Sequence, residues 1–185
     1  MKLLAGLGNP GDEYQGTPHN VGFRFMDYLA KELSFSGFNK NLDSLFYKKS
    51  INGDLCFFIK PQTYMNKSGK AIAYFANYFK IPIENILIIS DDINLPPGKA
   101  RFRIGGGHGG HNGLRSIIDS MGNNKFARVK IGVGRPSSNR DVARHVLDPW
   151  SKSDEKIVLD VIKIVVQEVI CFLETSKFRN TSFSV

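Results

Sequence analysis

Short apolar runs at 2–7, 54–60, 86–90 and 127–133 alternate with segments whose apolar residues recur at helical spacing. That alternation restricts the chain to an α/β architecture built around one sheet. Val21, Phe25, Tyr28 and Leu29 fall at i, i+4, i+7 and i+8, and Ala71, Ile72, Phe75, Ala76 and Phe79 make a similar stripe. Leu114, Ile117, Ile118 and Met121 predict a third helix. Ile157, Val161, Ile164, Val165 and Phe172 predict a longer one, starting near Ser153 ahead of Asp154-Glu155. The stretch 32–50 has no readable period. With 185 residues there is room for one substantial core. The expectation is a single domain over 1–185: an α/β fold with a mixed, twisted central sheet flanked by helices.

Charge is unevenly placed. The chain carries a net +8, and residues 99–144 hold ten Lys/Arg against two acids, Asp119 and Asp141. The rest of the chain is near neutral, so the whole excess sits in one stretch. A local excess of that size favours a polyanionic partner such as nucleic acid. Within it, Lys99-Ala100-Arg101-Phe102-Arg103-Ile104 and Arg128-Val129-Lys130-Ile131 alternate cation and apolar residue. As strands, each buries one face and presents cations on the other.

Several classes are excluded. The most apolar stretch, 157–173, is interrupted by Asp160, Lys163, Gln167 and Glu168, so no membrane span is expected. Lys2-Leu3-Leu4-Ala5 is too short for a secretory signal before Gly8-Asn9-Pro10-Gly11. Cys56 and Cys171 lie far apart in apolar stretches, with neither disulfide nor zinc spacing. Buried thiols in a reducing cytoplasm are expected. Gly6-Leu7-Gly8-Asn9-Pro10-Gly11 matches G-x-G-x-x-G, but Pro10 removes an N–H and no helical period follows directly, which disfavours dinucleotide binding. The run Gly105-Gly106-Gly107-His108-Gly109-Gly110-His111-Asn112-Gly113 lacks the Gly-Lys-Ser/Thr of a phosphate loop. Its glycines do permit close backbone approach to a ligand.

Asn20, Asn66 and Asn112 each precede an apolar-periodic segment and read as helix N-caps, and Asn9 as a turn residue before Pro10. Side-chain amides can also bind a peptide or polarise a carbonyl. His19 and His111 sit in loops beside helix starts, whereas His145 lies in a helical stretch and reads as structural. Asp91-Asp92 ends the strand at 86–90, at the carboxyl edge where α/β proteins place ligands. A histidine with an orienting carboxylate is the minimal general-base unit. No G-x-S-x-G is present, so water is the expected nucleophile.

Taken in order, these segments resemble the bacterial peptidyl-tRNA hydrolase family. The matching motifs are Gly6 to Gly11 with Tyr14, Thr17-Pro18-His19-Asn20-Val21-Gly22, and Lys60-Pro61-Gln62-Thr63-Tyr64-Met65-Asn66-Lys67-Ser68-Gly69. They continue with Asp91-Asp92-Ile93-Asn94-Leu95-Pro96-Pro97-Gly98, the loop 105–113, and Lys130-Ile131-Gly132-Val133-Gly134-Arg135-Pro136. The resemblance implies cleavage of the ester between peptide and tRNA, which recycles tRNA from prematurely released peptidyl-tRNA. It implies that His19 is the base and Asp91 its partner, with Asn9 recognising the N-blocked linkage. Asn66, Asn112 and His111 position the substrate, Tyr14, Tyr64 and Met65 line the site, and Arg101, Arg103 and Lys130 hold tRNA phosphates. The leaving group is a ribose hydroxyl, so neither metal nor other cofactor is expected, and no obligate protein partner is evident.

Two positions depart from the family pattern. Pro18 stands where the family usually has Arg, and Lys130 where it often has Arg. Lysine keeps the charge but loses the planar fork for a phosphate. The strongest rival is a non-catalytic RNA-binding protein of the same fold, as in plant organelle splicing factors. Joint presence of His19, Asp91, Asn9, Asn66 and Asn112 argues against it. A nucleotide-dependent enzyme is the second rival and lacks its phosphate loop.

Overall fold

The computed structural model describes residues 1–35, 37–136 and 141–185. Arg140, one of the ten cations counted in the basic stretch, lies outside them. In chain order the elements are β1 (Lys2–Gly6), α1 (Val21–Glu32), β2 (Asn39–Asn41), β3 (Ser44–Ile51), β4 (Asp54–Pro61), α2 (Ser68–Tyr78) and β5 (Ile86–Asp92). They continue with β6 (Lys99–Ile104), α3 (Asn112–Met121), β7 (Ala127–Gly132), α4 (Val142–Leu147), α5 (Lys152–Thr175) and β8 (Thr181–Ser184). The strands form one mixed sheet in the order β2-β3-β4-β1-β5-β7-β6-β8. Its centre, β4-β1-β5-β7, is parallel, and its margins are antiparallel.

Both faces of the centre are covered, which is why β1 and β5 read as unbroken apolar runs. On one face Leu4, Leu87, Ile89 and Val129 pack under α1 and α5, with Phe25, Leu29, Val161 and Val165. On the other Leu3, Ala5, Phe57 and Ile88 pack under α2 and α3, with Ile72, Phe75, Leu114 and Ile117. Among the described residues no helix is long and apolar enough to cross a membrane.

Three expectations need correction. The buried stripe of α5 is Val158, Val161, Ile162, Val165, Val166, Val169 and Leu173, whereas Ile157 and Ile164 are 39% and 40% exposed. Apolar residues nearly encircle this helix, so two stripes compete in the sequence and packing selects one. Its cap is Ser151, whose hydroxyl accepts the Asp154 N–H, not Ser153. Cys171 is exposed on that helix, and only Cys56 is buried. The unreadable stretch holds β3, paired to β4 through the two-residue turn Asn52-Gly53, with φ of 48° and 84°. Asn-Gly is the strongest short hairpin signal, and it was there to be read.

The carboxyl edge of the parallel strands gathers the loop after β1, the end of β5 and the starts of α1 and α3. Gly22 makes the α1 contact possible: a Cβ there would lie 2.3 Å from the Leu7 nitrogen and 2.7 Å from the Ile89 oxygen. Both neighbours are backbone atoms at the sheet's carboxyl edge and cannot yield cheaply. Gly22→Ala is therefore expected to cost about 1–3 kcal/mol or more, read as a lowered urea midpoint. Gly16→Ala, which meets nothing within 4 Å, should leave the midpoint in place.

Candidate active site

His19 occupies a 3-10 turn, Pro18–Asn20, just ahead of α1, with Pro18 setting the first backbone angle of the turn. Asp91 is the sixth residue of β5 and is 3% exposed. The His19 Nδ1 lies 2.9 Å and 3.0 Å from the two Asp91 oxygens. Strand alternation sends Asp92 to the opposite face, where it accepts from Lys130 Nζ at 2.8 Å and from the Asn94 N–H.

A second histidine joins this pair: His111, expected from the resemblance to position substrate, also bonds Asp91, a contact the sequence did not foretell. His111 Nε2 lies 2.8 Å from Asp91 Oδ1. Its Nδ1 accepts the Gly113 and Leu114 N–H groups at 3.1 and 3.3 Å, so His111 is the N-cap of α3. Those two donors dictate the tautomer: Nδ1 is an acceptor, so Nε2 carries the proton and donates it to Asp91. Asp91 thus receives hydrogen bonds from both imidazoles. Burial pushes its carboxyl up, but His111 and His19 outweigh burial and hold it well below the usual carboxylate range. An ionised Asp91 takes the His19 Nδ1–H and leaves His19 Nε2 as the basic atom.

The asparagines do not cap. Asn20 spends its amide on the backbone of Asn9, with Oδ1 accepting the Asn9 N–H at 2.8 Å and Nδ2 donating to the Asn9 carbonyl at 2.9 Å. That staple holds the loop after β1. Asn9 Oδ1 in turn accepts the Met65 N–H at 2.7 Å, which leaves its Nδ2 donors without a partner among the described residues. Asn66 lies inside the 3-10 turn Met65–Lys67, and Asn112 is the first residue of α3 after the His111 cap. Side chains other than the usual Ser, Thr, Asp or Asn rarely fill that cap position, so the sequence offered little to find it.

These groups surround a cavity of about 570 Å³. Its lining includes His19, Asp91, His111 and the three amides of Asn9, Asn66 and Asn112, together with Val142, Val146 and Leu147 of α4. Tyr64, 52% exposed with a φ of 60°, stands at the wall, and Tyr14 meets it edge-on at 6.5 Å, outside the cavity lining. Arg101 is exposed on β6, opposite Lys130 in the ladder. Arg103, opposite Arg128, already donates to the Phe102 and Thr181 carbonyls. Lys130 lines the cavity but is ion-paired to Asp92. Arg128 is 1% exposed and is not presented on the strand face, contrary to the alternation read from the sequence.

The His19, Asp91 and His111 donor atoms lie within 4.8 Å of one another, close enough to share a cation. The donor set argues against one. A metal on His111 Nε2 demands a proton on Nδ1, where two backbone N–H groups already point.

Residues 3–184 match the family model for peptidyl-tRNA hydrolase. The chain belongs to the peptidyl-tRNA hydrolase family. It is 45% identical over 176 residues to the peptidyl-tRNA hydrolase of Rickettsia bellii, covering 94% of each chain. It is 45% identical over 170 residues to that of Aliarcobacter butzleri, covering 91% of this chain and 90% of the other. The crystal structure of the Acinetobacter baumannii peptidyl-tRNA hydrolase aligns with a TM-score of 0.88 at 36% identity, over 95% of this chain and 89% of that one. The mixed sheet and its flanking helices are thus the fold of peptidyl-tRNA hydrolases.

Proposed function

We infer that this chain performs the reaction of its family, hydrolysis of the ester between a peptide and the 3′ ribose of tRNA, with His19 as general base. The supporting observation is the His19–Asp91–His111 chain set in the wall of a cavity that also carries three side-chain amides. Asp91 fixes the His19 tautomer. His19 Nε2 takes a proton from water as the water oxygen bonds to the ester carbonyl carbon. The amides of Asn66 and Asn112, which have no side-chain partner among the described residues, are available to hold the oxyanion. The tetrahedral intermediate collapses with cleavage of the bond to the ribose oxygen, and that oxygen takes the proton back from His19. Free tRNA and peptide leave, and tRNA returns to translation in the cytoplasm. The deciding assay is release of N-acyl-amino acid from N-acyl-aminoacyl-tRNA, with the unblocked aminoacyl-tRNA as control. Binding without release would leave an RNA-binding protein of this fold.

Asn9 supports discrimination of the blocked linkage, because its acceptor is used internally while its Nδ2 has no partner among the described residues and the residue lines the cavity, where a peptide carbonyl can accept from it. Asn9→Asp retains the acceptor for Met65 but turns the donor into a second acceptor. It is expected to reduce the preference for N-blocked over free substrates, at a stability close to wild type. Unchanged preference in a folded variant removes Asn9 from the role.

The tRNA body needs cations, and Arg101, exposed on β6 opposite the cavity-lining Lys130, and Arg103 two residues on are the candidates. Replacing both with Ala should raise KM for tRNA substrates and flatten its salt dependence by about one unit of slope per lost phosphate contact. Small ester substrates should respond much less. Equal losses on both substrates would assign these arginines to folding or chemistry.

A further inference from the structure

Arg128 is the largest fully buried side chain of the protein, and no carboxylate pairs with it among the described residues. Its guanidinium donates to the carbonyls of Gly107 at 2.7 Å, Gly106 at 2.5 Å and Asn124 at 3.3 Å, and lies 4.4 Å from the Phe126 ring. Its Nε has no partner among the described residues. Backbone carbonyls satisfy hydrogen bonds but bring no negative charge. A buried cation without a counter-ion is costly, and it leaves positive potential at the nearest surface.

That surface is the glycine loop. A trans peptide holds its C=O and N–H antiparallel. With the Gly106 and Gly107 carbonyls turned down onto Arg128, the N–H groups of Gly107 and His108 are turned the other way, on the exposed side of the loop. Neither finds a protein acceptor among the described residues. Gly106 adopts a φ of 108°, which a side chain would resist, so glycine is what allows this orientation. Successive outward N–H groups over fixed positive charge make an anion-binding concavity. The same loop continues through His108, Gly109 and Gly110 into the lining of the catalytic cavity.

We propose that the Gly107 and His108 amides, backed by the buried Arg128, bind a phosphodiester of the tRNA 3′ strand next to the scissile ester. The substrate thereby supplies the counter-ion that the protein withholds. Arg128 acts through the loop and is a positioning residue. This rests on the reading of tRNA as substrate. A carboxylate ligand fits less well, because the peptide side of the ester carries none near the reacting carbon, whereas the RNA side carries a phosphodiester at each nucleotide.

The test uses the whole protein, isotope-labelled, titrated with cytidylyl-adenosine, which has one phosphodiester. The Gly107 and His108 amide resonances are expected to shift, and to stay in place with an equimolar mixture of cytidine and adenosine. Arg128→Met should abolish those shifts. It should also raise KM for N-acyl-aminoacyl-tRNA by about tenfold or more, the scale of one lost charge-assisted contact, with kcat little changed. On the N-acyl-aminoacyl ester of adenosine, which has no phosphate, its kinetics should match wild type. Arg128→Lys, which keeps the charge without the fork, should fall between. Absence of shifts in the wild-type titration overturns the proposal, even if Arg128→Met does not fold. Equal losses on both esters also overturn it and make Arg128 a folding residue. Failure of the hydrolytic reading looks different: the wild type would cleave neither ester, while the titration would be unaffected.

Discussion

His19→Ala is expected to lower kcat by about 10²–10⁴ while tRNA binding stays near normal, the usual contribution of a positioned general base. The size follows from the arrangement. His19 Nδ1 is committed to Asp91, so Nε2 is the only atom of the ring free to take a proton. His19 lines the cavity that holds the three amides; His108 lines it too, but its Nδ1 accepts the Gly110 N–H and no carboxylate orients its ring among the described residues. His111 has both nitrogens occupied, one by Asp91 and one by the α3 backbone. His145, whose Nε2 meets the Gly134 carbonyl at 2.9 Å, is outside the cavity lining, and His145→Ala serves as the control. Single-turnover hydrolysis with saturating enzyme separates the chemical step from binding. Near-wild-type turnover by His19→Ala would overturn the mechanism while leaving the family membership intact.

Asp91→Asn is expected to cost a similar factor, again about 10²–10⁴ in kcat, by a different route. Asp91 accepts from two N–H donors at once. Both imidazoles reach Oδ1 and only His19 also reaches Oδ2, so an amide that keeps its oxygen at Oδ1 sets its NH2 against His19 Nδ1. His111 cannot turn its tautomer over without breaking the α3 cap. The conflict therefore falls on His19, whose proton moves to Nε2, the atom that must be bare to act as base. The amide also cannot stabilise the forming imidazolium. The losses in His19→Ala and Asp91→Asn should not add in the double variant, because the two side chains act as one unit. Additive losses would mean that Asp91 works on something other than His19.

Much of this was legible because it rests on local chemistry. The stripes of α1, α2 and α3 and the four central apolar runs carry their own period, and both faces of the sheet centre are buried. Strand alternation told only that Asp91 and Asp92 point to opposite faces, and the choice of Asp91 as partner of His19 rested on the family resemblance. What escaped the sequence depends on partners distant along the chain. Asn20 looks like a cap until the Asn9 backbone is seen beside it. His111 looks like a loop residue until α3 begins on its ring. Arg128 looks like a surface cation because alternation reports a face and not what covers it, and here the glycine loop folds over it. In α5 the apolar residues were too many for periodicity to choose among.

The position of β1 at the centre of the sheet has a consequence for how the molecule is made. Its partners β4 and β5 come roughly fifty and eighty residues later, and its outer cover, α5, comes later still. Leu3, Leu4 and Ala5 must therefore wait, uncovered, while most of the chain is synthesised. Parallel pairing of strands so distant is slow, because a large loop must close before any contact rewards it. His19, Asp91 and His111 share that dependence, each arriving on a different segment. Folding should be strongly cooperative and late, with no stable fragment of the chain retaining activity, and the half-made protein should be a client for chaperones that shield apolar strands.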